Sequence, residues 1–365
     1  MTMQFIDTDQ ALATACARWA DAPVLALDTE FVRVDTYYPR LCLVQVGDGR
    51  DPAVIDALAV PSLEPLLDVL YRPTCVKVLH SGSQDLEIFA ALRNAPLLPL
   101  FDTQRAAELL GDGDQLGYAA LVERRFGITV DKSLTRTDWA RRPLTPAELE
   151  YAATDVTHLF RLYPLLHDEL VARGRLAWQE EDGARCADPA HYACPPEHAW
   201  QRLKSLPRLP AQAQTAAVAL AAWREGVAEH TNRPRRWILP DDALYAIAAK
   251  RPETLEALRQ IREVAPKTVQ RHGTEMLAAL ATAQPHPAAI ASVHALDDAE
   301  KGRFNALRTA VGECADALGV PRGLLANRAD LESLARVGEA ADITLMHGWR
   351  RTATREALLP ILRRN

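Results

Sequence analysis

Apolar residues fall in short compact runs over the first part of the chain and with helical spacing over the rest. "VLALDT" (24–29), "LCLVQVG" (41–47), "PAVIDAL" (52–58), "CVKVLH" (75–80) and "PLFDT" (99–103) read as strands. The first three lie close together, and short connections favour antiparallel neighbours. Helical patterns cover 62–71 and 83–93 and run from the end of "PLFDT" to about Arg173. This order predicts a mixed sheet with helices on its faces. The proline-rich stretch "CADPAHYACPPEHAWQRLKSLPRLP" (186–210) then interrupts the pattern and reads as a linker with short helical pieces. Beyond it Ala216, Leu220, Trp223 and Val227 recur on one helical face, "QPHP" (284–287) makes a second break, and a last helical block follows.

The two helical blocks resemble each other. "PRRWILPDDALYAIA" (234–248) lies over "PRGLLANRADLESLA" (321–335) without a gap at an offset of 87. Pro, Arg, Leu and Ala coincide, and apolar residues pair at Trp237/Leu324, Ile238/Leu325 and Ile247/Leu334. This predicts two copies of one small helical module, with Trp237 in the core where the second copy has Leu324. The expected division is residues 1–180 as an α/β domain, 181–204 as linker, and 205–284 and 285–365 as two all-α domains.

Composition narrows the classes. At 365 residues and 48% hydrophobic, the chain can bury a substantial core. No apolar run approaches the roughly 18–20 residues that span a bilayer, and the acidic start "MTMQFIDTDQ" is not that of a signal peptide. Six scattered cysteines fit reduced thiols better than a disulfide framework. A cytoplasmic protein without a membrane partner is expected, and nothing specifies an oligomer, so a monomer is the working expectation. The net charge of -6 is uneven: residues 1–199 carry -12, residues 200–284 carry +5 and residues 285–365 carry +1. Acidic residues suit metals and a basic appendage suits a polyanion.

The chemistry begins where the first long strand runs into Asp28, Thr29 and Glu30. Residues two apart on a strand share a face, so Asp28 and Glu30 repel and raise each other's pKa unless a cation lies between them. Two other stretches offer partners. In "VKVLHSGSQDLEIF" a strand turns through Ser/Gly into a helix carrying Asp85. In "ELEYAATDVTHLFRLY" Tyr151 and Asp155 stand four apart on one helical face. Taken singly, Asp85 is explained by the helix N-terminus it occupies, and Tyr151 with Asp155 by a surface pair.

Together, Asp-x-Glu on a first strand, Asp at a strand-to-helix junction and Tyr-x-x-x-Asp on a late helix resemble the DEDD superfamily of 3′→5′ exonucleases. The tyrosine branch fits, because the place five before the last Asp, where the histidine branch has His, is Glu150. "HSGSQDLEIF", "FDTQRAAELL" and "TDWARRPLTPAELEYAATDV" resemble the ribonuclease D family within that branch. The block with "AAWREGVAEHTNRPRRWILPDDAL" resembles the HRDC domain of RecQ-type helicases and ribonuclease D, and the last block a degenerate second copy.

The resemblance implies a ribonuclease H-like (DnaQ-like) fold, two divalent ions (Mg²⁺ or Mn²⁺), and RNA 3′ ends, tRNA precursors among them, as substrate. Carboxylates are hard ligands suited to such ions. It also implies roles. Asp28 bridges both ions. Glu30 and Asp155 serve the ion that activates water, with Glu30 near the terminal 3′-hydroxyl, and Asp85 serves the ion at the leaving oxygen. Tyr151 orients the water. The chemistry is expected to need nothing downstream of the proline-rich break. Arg141 and Arg142, and Arg233, Arg235 and Arg236, are candidate phosphate contacts; the alternatives are a solvated turn and a solvated face. Cys186, His191, Cys194 and His198 are zinc-ligand types at a spacing that matches no zinc motif. A DNA exonuclease acting in repair and a catalytically inactive nucleic-acid-binding protein remain the competing readings.

Overall fold

The computed structural model describes residues 3–285, apart from Lys132 and Arg136, and residues 296–363. They form two compact units: residues 1–32, 41–192 and 296–365 in the first, and residues 33–40 and 193–295 in the second.

The first unit is built on a six-stranded mixed sheet of β1 (Gln4–Ile6), β2 (Val24–Val32), β3 (Arg40–Gly47), β4 (Ala53–Asp56), β5 (Val76–Leu79) and β6 (Leu100–Asp102), in the order β1-β4-β3-β2-β5-β6. β3 and β4 pair antiparallel, as their short connection predicts, while β2, β5 and β6 run parallel in the registers Ala26↔Val78 and Leu79↔Asp102. Parallel strands are covered on both faces. Leu25 and Leu27 of β2 therefore enter one apolar core and Ala26 the other. Helices α1 (Asp9–Trp19), α2 (Glu64–Leu70) and α3 (Ser83–Leu92) supply residues to the first core. Helices α4 (Thr103–Leu109), α5 (Tyr118–Phe126) and α6 (Pro146–Ala172) supply the second, and α7 (Leu176–Cys186) follows α6 in the chain. The 27-residue α6 starts at a capping box, with Thr145 and Glu148 satisfying each other's backbone N–H, and with Pro146 at its first position.

The second unit holds α8 (Ala211–His230), α9 (Arg235–Ile238), α10 (Asp241–Lys250), α11 (Leu255–Arg259) and α12 (Pro266–Ala281) around Leu220, Leu244, Ile247 and Met276. The proline-rich stretch forms three short 3₁₀ turns. The last block folds as α13 (Asp298–Leu318), α14 (Arg322–Leu325), α15 (Arg328–Val337) and α16 (Gly348–Leu362). Its elements repeat those of the second unit at the offset read from the sequence: shifted by 87, α9 and α10 coincide with α14 and α15 at both ends, and α8 with the start of α13.

The sequence pattern does not reveal β1, a three-residue strand pairing β4 at the sheet edge and too short to show a period. The last block does not stand apart: Leu307, Val311, Leu334 and Trp349 share one core with Leu109, Leu121 and Leu166 of the nuclease helices. Trp349 stacks on Trp178 of α7 with ring centroids 4.4 Å apart, and both Asp182 oxygens take Arg350 nitrogens at 2.5 and 2.8 Å inside the core. Residues beyond the proline-rich break therefore share the core of the first unit. Against expectation, Trp237 is 50% exposed whereas Leu324 is buried; the Arg233 guanidinium lies 5.8 Å from the Trp237 ring centroid.

Candidate active site

The C-terminal ends of β2 and β5 and the middle of α6 meet at a cavity of about 310 Å³ lined by Asp28, His80, Tyr118, Thr135, Tyr151 and Asp155, among others. The pleat of β2 aims Asp28 and Glu30 to one side. Thr29 between them is buried, and its hydroxyl donates to Asp85 Oδ1 at 2.5 Å.

Asp85 is set in the first turn of α3 by a tight junction. Ser81 adopts a left-handed conformation (φ 55°), a sparsely populated choice for a non-glycine residue. The N–H groups of Ser81 and Gly82 both donate to the Asp102 carboxylate, at 3.1 and 3.0 Å. Asp102 in turn caps α4 by accepting from Gln104 N at 2.8 Å. A Cβ on Gly82 would meet the Leu79 side chain at 2.8 Å, so the turn needs glycine.

On α6, Tyr151 and Asp155 stand one turn apart. The Tyr118 hydroxyl donates to the Asp155 carbonyl at 2.5 Å and fixes the helix at that level. Tyr151 stacks on buried Trp139, with centroids 6.1 Å apart, and its hydroxyl lies 3.3 Å from Thr135 Oγ1. His80 reaches Thr103 Oγ1 through Nδ1 at 2.9 Å, and that hydroxyl donates to the Leu79 carbonyl.

Asp28, Glu30 and Asp155 each offer an oxygen within 4.8 Å of the other two, the one such group of three or more candidate ligands among the described residues. Burial raises all of their pKa values, and repulsion from neighbouring carboxylates adds to it at Asp28 and Glu30. Asp28 rises well above the usual carboxylate range through burial and then through Asp85, Asp155 and Glu30. Glu30 is pushed up to about 8 by burial, Asp155 and Asp85. Burial takes Asp155 to about 7, and burial takes Asp85 to about 6 against the opposing Thr29 hydrogen bond. Hard oxygen donors this close fit a divalent cation, which would reverse each of these shifts. Tyr151 is also raised, first by burial, so its phenol is neutral at pH 7.

The structure thus brings Asp28, Glu30 and Asp155 together, with Asp85 beside Asp28 and Tyr151 on the same cavity wall. Thr29, Tyr118 and Asp102, which fix the placement of these side chains, were not singled out in the sequence; only their adjacency to a carboxylate or a turn marked them. Three of the candidate arginines are engaged within the protein. Arg141 forks onto Glu148 at 2.7 and 2.8 Å, and Arg142 holds both oxygens of Asp56 at 2.6 Å, so both fasten the loop before α6. Arg235 is likewise committed, to buried Glu225 and the Tyr37 hydroxyl. Cys186, His191, Cys194 and His198 form no group of three or more ligands among the described residues, and all six cysteines are free thiols.

Comparison with known proteins bears on this arrangement. A family described as 3'-5' exonuclease matches residues 3–171, and the HRDC domain matches residues 214–280. Ribonuclease D of Shewanella sp. is 35% identical over 97% of this chain and 93% of its own length. That of Pseudomonas paraeruginosa is 37% identical over 99% of this chain and 97% of its own. The chain belongs to the ribonuclease D family. The crystal structure of Escherichia coli RNase D, described as an exoribonuclease involved in structured RNA processing, superimposes with a TM-score of 0.90 at 32% identity, covering 99% of both chains. The family likeness therefore extends through the terminal helices as well as the nuclease sheet. Among the described residues no helix is long and apolar enough to cross a membrane.

Proposed function

We propose that this ribonuclease D family member is a 3′→5′ exoribonuclease that releases nucleoside 5′-monophosphates and trims structured RNA such as tRNA precursors. The observation that carries the reading is the convergence of Asp28, Glu30 and Asp155, each with an oxygen within 4.8 Å of the other two. Two ions, Mg²⁺ or Mn²⁺, would be held there, Asp28 serving both, Glu30 and Asp155 one, and Asp85 the other. Such ions supply Lewis acidity and lower the pKa of bound water.

The chain's own residues do the rest. Tyr151 keeps its proton, so it orients the attacking water by a hydrogen bond; Trp139 behind the ring and Thr135 beside the hydroxyl fix its direction. Thr29 holds one oxygen of Asp85, and Tyr118 holds the α6 backbone at Asp155. Glu30 is placed to meet the terminal 3′-hydroxyl. The basic second unit binds the body of the RNA. A monomer working in the cytoplasm completes the proposal, in keeping with the free thiols.

Matched RNA and DNA oligonucleotides with free or blocked 3′ ends test it. Release of 5′-mononucleotides from RNA with a free 3′ end is expected. Equal or faster attack on DNA would move the assignment to a DNA exonuclease, and no attack on either would leave a binding protein.

A further inference from the structure

We propose that a cleft in the second unit anchors a backbone phosphate of the RNA, with Arg202, Arg224 and Arg236 as its donors. The proposal rests on the reading of the chain as an enzyme acting on RNA. The cleft, of about 570 Å³, is formed by the 33–40 loop, the 3₁₀ turn at Pro196–Arg202, and α8 to α10.

Five guanidiniums surround it, those of Arg33, Arg202, Arg224, Arg235 and Arg236. Carboxylates answer Arg235 and Arg224. Glu225 takes Arg235 in a bidentate pair, and Asp241 accepts one bond from Arg224 Nη1 at 2.6 Å. The site therefore keeps an excess of positive charge. Arg33 is directed by the Tyr37 carbonyl at 2.9 Å.

Arg224 points most clearly to a ligand. It is 95% buried, and Nη1 uses both of its protein acceptors, Leu239 O at 2.8 Å and Asp241. Its buried Nε has no partner, and Nη2 meets no acceptor among the described residues. A buried guanidinium left short of acceptors is costly unless something supplies them. A phosphate in the cleft does so for Nη2, the one nitrogen of the group neither sealed off nor already bonded among the described residues. Arg236 is exposed and makes no ion pair among the described residues, and Arg202 is exposed with only the Cys194 sulfur, 3.2 Å from Nε. Both can turn onto a phosphate at the rim. Arg235, by contrast, is a fixed wall of the cleft.

The test uses full-length protein carrying Asp28→Asn, so that RNA is bound but not consumed. Anisotropy of a labelled tRNA-like hairpin with a single-stranded 3′ end is followed from 0.05 to 0.4 M salt, with and without Arg202→Gln/Arg236→Gln. Losing two phosphate contacts should flatten the slope of log affinity against log salt by roughly 1.4–1.8. Taken over the decade below 1 M salt, that slope is a loss of roughly 25- to 60-fold in affinity at 0.1 M. Arg202→Lys/Arg236→Lys should keep most of the slope, because the charge remains. On the active enzyme, the Gln pair should leave turnover of a dinucleotide at the wild-type rate, since its single phosphodiester cannot occupy both sites.

An unchanged slope, or an affinity loss equal at all salt concentrations, overturns the phosphate site. So does a Lys pair as weak as the Gln pair. A hairpin that is cleaved by the wild type and bound equally by the Gln pair refutes the cleft alone. A hairpin neither cleaved nor bound by the wild type refutes the RNA reading, and the cleft assignment with it.

Discussion

The clustered carboxylates make the metal-free protein sensitive to pH in an unusual direction. A carboxyl whose pKa is raised in the folded state binds its proton more tightly there than in the unfolded chain. Folding then benefits at low pH and loses as pH rises toward the folded pKa. For Glu30 the window runs from its ordinary 4.5 to about 8. A shift of that span corresponds to about 5 kcal/mol. Solvent reaches these half-buried carboxylates, so we expect about half of that, some 2–3 kcal/mol. At roughly 2–4 °C per kcal/mol for a unit of this size, the melting temperature should fall by roughly 5–10 °C between pH 5 and pH 8. The assay is thermal unfolding of EDTA-treated protein across that range, repeated in Mg²⁺ and with Asp28→Asn. Mg²⁺ should remove most of the fall, and Asp28→Asn should reduce it by taking one negative charge from the cluster. A melting temperature that is flat or rises from pH 5 to pH 8 without metal would refute the electrostatic account of the site.

Tyr151→Phe should retain RNA and metal binding but lower single-turnover cleavage by the roughly 10²–10⁴-fold typical of a positioned catalytic group; an unchanged rate would reduce Tyr151 to a packing role beside Trp139. Arg350→Met should destabilise the first unit by about 3 kcal/mol, the low end for breaking a buried pair, because Arg105 and Arg185 still face Asp182 at 3.6 and 3.4 Å; urea unfolding checks this. A truncation after residue 204 should give aggregated or largely unfolded protein, since it removes the helices whose Trp349 and Leu334 complete the nuclease core; a soluble truncation with native melting behaviour would contradict that packing.

The active-site carboxylates were legible because their chemistry restricts residue type and spacing together. Asp28 and Glu30 ride one face of a strand and Tyr151 and Asp155 one face of a helix, and both periods can be counted along the chain. The helical repeat was legible for the same reason. What escaped the sequence depends on partners remote along it. Asp182 and Arg350 look like ordinary charges until the fold buries them against each other. Arg142 looks free until Asp56 arrives from β4. The 33–40 loop carries no mark of its partnership with α8 and the turn after it, which includes the Tyr37 hydroxyl on Glu225, the Tyr38 hydroxyl on Glu229 and the Asn232 side chain on two backbone N–H groups of the loop. Side-chain periodicity reports which face is buried, and it is silent on what does the burying.

The discontinuous first unit has a consequence for synthesis. A ribosome releases the sheet and α1 to α7 first, then the whole of residues 193–295, and only then the helices that close the nuclease core. At the roughly 5–20 residues per second of translation, the intervening stretch takes roughly 5–20 s. Throughout that interval Leu109, Leu121 and Leu166 lack the terminal apolar partners they meet in the finished protein. The nascent nuclease therefore waits, sticky and incomplete, beside the RNA of the machine that is making it, until the residues from 296 onward have been made.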